Sequence, residues 1–163
     1  MRSALVPGSY DPITLGHLDV IRRAAQIFDR VTVLVAHNNA KNYLLCSQKR
    51  LALAEDAIKD IPCVLAEGYD GMLIDYIASH DRPILIKGVR NEKDFAYETE
   101  MAQYNRELCR RKYGFETETL LLPCAPCYSA LSSTLVRTLA ATGGNFDDLV
   151  PNAQLLKKFL QDS

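Results

Sequence analysis

Short runs of valine, isoleucine and leucine alternate along this chain with longer amphipathic segments. That alternation restricts the fold more than any single motif. The apolar runs predict strands at Arg2–Val6, Arg30–Ala36, Cys63–Glu67, Pro83–Lys87 and Thr117–Leu122. Helical spacing predicts helices at Gly16–Phe28, Ser47–Lys59, Gly71–Ser79, Asn91–Lys112, Ser133–Thr142 and Pro151–Gln161. Several strands are nearly continuous in branched aliphatics, as strands covered on both faces should be. Strand and helix in turn, joined by short links, give a parallel, doubly wound sheet. The expectation is one α/β Rossmann-like domain over residues 1–163 with five parallel strands in the order 3-2-1-4-5. No repeat, low-complexity stretch or linker interrupts the pattern, and Gly143-Gly144-Asn145 reads as a helix stop.

A chain of 163 residues buries roughly 70% of its unfolded surface, enough for a real core. The formal net charge is −1, so no strong field selects nucleic acid or a membrane. No apolar run approaches the ~20 residues of a membrane span. The N-terminus lacks a basic segment followed by a signal-length apolar stretch, which makes the cytosol the expected compartment. The five cysteines, Cys46, Cys63, Cys109, Cys124 and Cys127, are an odd number, which argues against a secreted disulfide framework. Cys124-Ala125-Pro126-Cys127 has redox-motif spacing in an imperfect context. A zinc site would want four ligands, and no second pair or histidine motif supplies them. The pair therefore reads as a reduced, incidental loop feature.

In doubly wound sheets ligands bind beyond the carboxyl ends of the strands. Behind the first strand, Ala4-Leu5-Val6, comes the tight loop Pro7-Gly8-Ser9-Tyr10-Asp11-Pro12, and a helix opens at Thr14 or Gly16. Strand, loop and helix start make an anion site, because free backbone N–H groups and the helix dipole converge there. His17 in the first turn adds a further donor. Gly8 and Gly16 are expected to leave room for a phosphate ester to touch backbone. The segment is neither a G-x-x-x-x-G-K-[ST] phosphate loop nor a G-x-G-x-x-G fingerprint.

Three more polar segments belong on the same rim: Lys41 after the second strand, Lys87 to Arg90 after the fourth and Tyr128 to Thr134 after the fifth. Lys87 and Arg90 flank Gly88 at a strand mouth and read as phosphate readers, Arg as a two-pronged grip and Lys as a point charge. Lys41 alone reads equally as a surface charge. Ser132-Ser133-Thr134 is an N-cap cluster whose hydroxyls and amides also suit a terminal phosphate. Arg137, one turn on, reaches the same group or decorates the helix. Asp11-Pro12 reads equally as plain turn chemistry. His37 and His80 read as strand-end or surface residues. Arg106 to Lys112 reads as a solvated helix end, and Pro151 to Gln161 as a packing helix.

Gly8-Ser9-Tyr10-Asp11-Pro12 with Thr14-Leu15-Gly16-His17 resembles the nucleotidyltransferases of the (T/H)-x-G-H superfamily. Their second signature is similar to Ser132-Ser133-Thr134-Leu135-Val136-Arg137. Adding Lys41, Lys87-Gly88-Val89-Arg90 and Asp94-Phe95-Ala96-Tyr97-Glu98, the chain resembles the bacterial phosphopantetheine adenylyltransferase family from about Arg2 to about Leu160. The resemblance implies AMP transfer from ATP to 4′-phosphopantetheine with Mg²⁺, giving dephospho-coenzyme A and pyrophosphate in coenzyme A biosynthesis, in a homo-hexamer. It gives His17 the role of stabilising the transition state. It assigns ATP to Ser9, Tyr10, His17, Gly88, Val89, Arg90, Glu98, Tyr128, Ser129, Ala130, Leu131, Ser132, Ser133 and Thr134. It assigns phosphopantetheine to Ser9, Lys41, Leu73 and Lys87, and no protein-held metal.

The chain departs from that family at several points. Ser9 stands for a common Thr, Tyr10 for Phe, Lys87 for Arg and Tyr128 for Trp, and Lys41-Asn42-Tyr43 for Lys-Lys-Pro. Two rivals stay open. One is a sister enzyme using CTP and an alcohol phosphate, or ATP and nicotinamide mononucleotide; Thr14, where cytidylyltransferases usually carry His, argues against the CTP form. The other is a non-enzymatic nucleotide sensor, expected to have lost His17 or a phosphate-binding charge.

Overall fold

A computed structural model describes residues 2–38 and 40–161. Five strands, β1 (Ser3–Gly8), β2 (Arg30–Ala36), β3 (Val64–Tyr69), β4 (Ile84–Val89) and β5 (Thr119–Pro123), form one parallel sheet in the order 3-2-1-4-5. The helices are α1 (Leu15–Ala25), α2 (Ser47–Ile58), α3 (Leu73–Ser79), α4 (Glu92–Tyr113), α5 (Ser133–Thr142) and α6 (Ala153–Gln161). Two short 3₁₀ turns, Pro126–Tyr128 and Asp147–Leu149, were not expected.

Strand side chains alternate between two apolar layers, as the period of two requires. Ala4, Val6, Val31, Val33, Val35 and Ile86 face the larger core, which also holds Ile21 of α1, Leu53 of α2, Val136 of α5 and Leu156 of α6. Leu5, Leu34 and Leu85 face the opposite side, against Tyr76 and Ile77 of α3. Each such buried Val, Leu or Ile contributes roughly 1.5–3 kcal/mol relative to exposure. Gly143 ends α5 in the left-handed region at φ 75°, as a helix stop should.

The sheet splits where the site lies. β1 pairs with β2 over six positions, from Ser3–Arg30 to Gly8–Val35. It pairs with β4 only at Ala4–Ile84 and Leu5–Leu85. Pro7, which has no N–H to give a ladder, stands in the diverging stretch. Val6, Pro7 and Gly8 of β1 and Ile86, Lys87 and Gly88 of β4 therefore become the walls of a crevice. Both strands run two residues further than expected, because the glycines at their mouths continue the extended chain. Gly8 lines the crevice and also makes room for a side chain: a Cβ there would lie 2.9 Å from Cζ of Tyr10. Likewise a Cβ on Gly88 would meet Cγ2 of Val20 at 2.8 Å, so this glycine lets α1 approach the sheet.

Candidate active site

The crevice is a cavity of about 340 Å³ closed by α1, the start of α4 and the segment leading into α5. Tyr10, His17, Lys87, Gly88, Arg90, Glu98, Tyr128, Leu131, Ser132, Ser133 and Thr134 all line it. Three segments far apart in sequence, around His17, Lys87 and Ser132, thus meet as the strand order requires. Asp94 and Cys124, not among the expected site residues, complete its wall.

His17 is set by its own helix start. Thr14 is the N-cap of α1 and His17 occupies the third helical position, where a capping box normally has Glu or Gln. The Thr14 backbone N–H donates to Nδ1 of His17 at 3.0 Å, and the Thr14 hydroxyl lies 3.1 Å from the same nitrogen. In return the His17 N–H donates to Thr14 Oγ1 at 3.4 Å. Burial, then the Arg90 and Lys87 charges, lower the imidazole pKa to about 4. The ring is therefore neutral at pH 7. With Nδ1 held as an acceptor, the proton sits on Nε2, on the opposite side of the ring from Thr14.

Tyr10 supports that ring. Its backbone is left-handed at φ 48°, an uncommon conformation for a bulky residue. Its buried hydroxyl donates to Val6 O at 2.8 Å, and its ring meets the His17 ring edge-on at 5.1 Å. Burial raises the phenol pKa well above its usual value.

The cations are held by carboxylates. Arg90 Nε donates to Asp94 Oδ2 at 2.7 Å, and Nη1 reaches Leu131 O at 3.1 Å, tying α4 to the segment before α5. That pairing raises the Arg90 pKa and holds the Asp94 carboxyl below its usual range. Lys87 pairs with Glu98 at 3.3 Å. At α5, Ser132 caps the helix by accepting from the Leu135 N–H at 3.1 Å. Ser133 spends its hydroxyl proton on Pro12 O at 2.8 Å, so what it offers an anion is its backbone N–H in the open first turn.

Ser9 and Lys41 do not line the crevice. They share an adjoining cavity of about 370 Å³ with Asp11, Asn42, Tyr43 and Arg137. Arg137 stands at the boundary, donating to Asp11 O at 2.8 Å and to Thr134 Oγ1 at 3.0 Å. Asp11 is more than turn chemistry: only 2% exposed, it accepts from the backbone N–H groups of Leu44 at 2.7 Å and Leu45 at 3.0 Å. His37 is more than a strand-end residue too, since its Nδ1 lies 3.0 Å from Nη2 of the buried Arg50. Val89, Ser129, Ala130 and Leu73 line neither cavity. Leu73 opens α3 and packs, part-buried, against the smaller apolar layer.

Sequence reasoning missed Arg50, although its spacing was a signal. It stands in one stripe with Leu53, Ala54 and Ile58, all buried, so a charge there had to find partners. All five cysteines are free thiols. Among the described residues no group of three or more His, Cys, Asp or Glu is placed to hold a metal. No helix among them is long and apolar enough to cross a membrane.

Residues 5–139 match the Cytidylyltransferase-like family. The phosphopantetheine adenylyltransferase of Caldanaerobacter subterraneus subsp. tengcongensis is 40% identical over 162 residues, 98% of each chain. That of Clavibacter michiganensis subsp. michiganensis is 45% identical over 93% of this chain and 92% of its own. That of Leifsonia xyli subsp. xyli is 44% identical over 93% and 94%. Among solved structures, a Vibrio parahaemolyticus protein described as a nicotinate-nucleotide adenylyltransferase superposes with a TM-score of 0.70 at 17% identity, covering 100% of this chain and 98% of that one. A lipopolysaccharide core biosynthesis protein from Thermoplasma volcanium gives 0.56 at 20% identity, covering 77% of this chain and 98% of its own. The two structures share the fold, and the three sequences share the site-bearing chain nearly end to end. This chain belongs to the phosphopantetheine adenylyltransferase family of cytidylyltransferase-like proteins.

Proposed function

We propose that this chain transfers AMP from ATP to 4′-phosphopantetheine, giving dephospho-coenzyme A and pyrophosphate. The observation that carries the reading is the position of His17: a neutral imidazole with its proton on Nε2, at the crevice where β1 and β4 part. The nucleophile is a phosphate oxygen that is already an anion, so no general base is needed. It attacks the α-phosphorus of ATP, the bond from that phosphorus to the bridging oxygen breaks, and pyrophosphate leaves. The enzyme's task is to bring two anions into line and to stabilise charge developing on the α-phosphate. His17 Nε2–H serves the α-phosphate, and Lys87 and Arg90 offset repulsion between the phosphates. The first-turn amides of α5 receive the β- and γ-phosphates.

The strand order divides the labour. The residues proposed for ATP beyond β1 lie at the mouth of β4 (Gly88, Val89) or after it (Arg90, Glu98), and after β5 (Tyr128 to Thr134). Those proposed for the acceptor, Ser9, Lys41 and Leu73, follow β1, β2 and β3. An acceptor laid along the carboxyl edge from β1 toward β3 passes all three in turn, while ATP occupies the β4–β5 side. Lys87, at the mouth of β4, faces both phosphates from the divide. Mg²⁺ enters as part of the Mg·ATP substrate, where it shields triphosphate charge. A homo-hexamer in the cytosol, with one domain per chain, completes the proposal.

The test is pyrophosphate release with ATP or CTP over a panel of phosphorylated acceptors. Release with ATP and 4′-phosphopantetheine, and little with CTP or with nicotinamide mononucleotide as acceptor, is expected. Preference for CTP, or for nicotinamide mononucleotide, contradicts the reading in favour of a sister enzyme. ATP binding without turnover on any acceptor contradicts it in favour of a sensor.

A further inference from the structure

Arg50 of α2 is 0% exposed, among the largest fully buried side chains of the protein. A charge so placed is costly unless it is paired and hydrogen-bonded. Its partners come from both sides of the acceptor cavity rather than from its own helix. Nη1 donates to the carbonyl of Ser9, behind β1, and at 2.9 Å to that of Ala36, the last residue of β2. Nη2 lies 3.0 Å from His37 Nδ1. The guanidinium sits 4.0 Å from the centroid of the Tyr43 ring. That ring also leans on His37 at 5.2 Å, and its hydroxyl accepts from the Asn38 N–H at 2.9 Å. Nε has no hydrogen-bond partner among the described residues. A position of this kind is more simply stabilised by an apolar side chain of similar volume.

We propose that Arg50 is the positioning residue of the acceptor side, setting the spacing between Ser9 and the loop that carries Lys41. The inference rests on the reading of this site as one for a phosphorylated acceptor. Ser9, Tyr43 and Lys41 all line the second cavity. Arg50 touches Ser9 through its carbonyl and Tyr43 through its ring, without lining the cavity itself. The loop between β2 and α2, residues 37–46, contains Lys41-Asn42-Tyr43 and has no proline to stiffen it. Its geometry therefore depends on what holds it from beneath: Asp11 at Leu44 and Leu45, and Arg50 at Tyr43. Lysine has a point charge and no planar fork, so it cannot bond both carbonyls and His37 while stacking on Tyr43.

Steady-state kinetics on the full chain, with thermal unfolding as the control for folding, tests this. R50K is expected to raise KM for 4′-phosphopantetheine on the order of tenfold, because misplacement of a binding group weakens one substrate selectively. KM for ATP and kcat at saturating acceptor stay within about twofold of wild type. A folded R50K with unchanged acceptor KM, or with both KM values raised alike, overturns the proposal. His37 offers a second route that leaves Arg50 in place and decides the matter if R50K does not fold. H37A raises acceptor KM roughly threefold through the lost bond to Nη2, and H37N, whose amide oxygen replaces Nδ1, restores it. An unchanged acceptor KM in H37A, or no recovery in H37N, counts against the proposal. Absence of turnover by the wild-type protein overturns the functional reading, and the acceptor role with it.

Discussion

The backbone N–H of Thr14 donates to Nδ1 of His17 at 3.0 Å. A backbone amide is only ever a donor, so this contact settles which ring nitrogen carries the proton. The motif Thr14-x-Gly16-His17 thus orients an Nε2–H by means of a helix cap. The neighbouring Lys87 and Arg90 charges then help keep the ring neutral. Nitrogen NMR of the labelled imidazole in the ligand-free protein should show the Nε2–H tautomer at pH 7 and no titration above about pH 5. An imidazole titrating near 6.5 would contradict the assignment.

The same shift makes stability depend on pH, and the sign follows from linkage. The folded-state pKa of about 4 lies below the ordinary value of 6.5. Above 6.5 both states are neutral and His17 adds no slope. Between 6.5 and about 4 the unfolded chain takes up a proton that the folded one refuses, so stability falls as pH falls. The limiting slope is about 1.4 kcal/mol per pH unit. Urea unfolding at several pH values should show this component in the wild type and lose it in His17→Asn; identical slopes in the two proteins would count against a depressed pKa.

Thr14→Ala removes the side-chain cap of α1 and one contact to Nδ1, but leaves the backbone donor. Stability should fall by about 1 kcal/mol. Turnover should fall by about fivefold, the rate equivalent of one neutral hydrogen bond. A loss as large as that from deleting His17 would show that the hydroxyl, not the amide, governs the ring.

The eleven regular elements were legible because their signals are local: apolar runs for the strands, and N-caps such as Thr14, Asn91 and Ser132 for the helices. Alternation of strand and helix implied a parallel doubly wound sheet, and the expected order 3-2-1-4-5 is the one observed. What was not legible depends on three dimensions. Gly8 read as a residue that leaves room at the site, but that it also makes room for the ring of Tyr10, two positions on and at a positive φ, could not be read from the sequence. Ser133 looked like a phosphate donor, but its hydroxyl bonds Pro12, 121 residues away. Lys41 follows β2 on the expected rim, but it lines an adjoining cavity rather than the crevice of His17, with Arg137 between the two.

That separation predicts selective effects on the two substrates. Lys41→Ala should raise KM for the acceptor by roughly tenfold and leave KM for ATP within about twofold. Lys87→Arg should be tolerated, because Glu98 can accept from a guanidinium as well as from an ammonium. Separate Michaelis curves for each substrate check both. An effect of Lys41→Ala on ATP alone would contradict the division between the cavities.

Cys124 lines the crevice that holds His17, and Cys127 is exposed. The reaction draws its nucleophile from the substrate, so no thiol is required. The double change Cys124→Ser with Cys127→Ser should leave activity in reducing buffer within about twofold of wild type. A severe loss would mean that the pair matters in its own right.

The central claim is that neutral His17 stabilises charge on the α-phosphate during adenylyl transfer, and turnover of His17→Ala tests it most directly. With ATP and 4′-phosphopantetheine at saturation, pyrophosphate release by the variant should drop on the order of 10²–10³-fold, the loss expected for one transition-state donor. The dissociation constant for ATP, measured by calorimetry on the same preparation, should change far less. Near-normal turnover, or a loss explained entirely by weaker ATP binding, would contradict the claim.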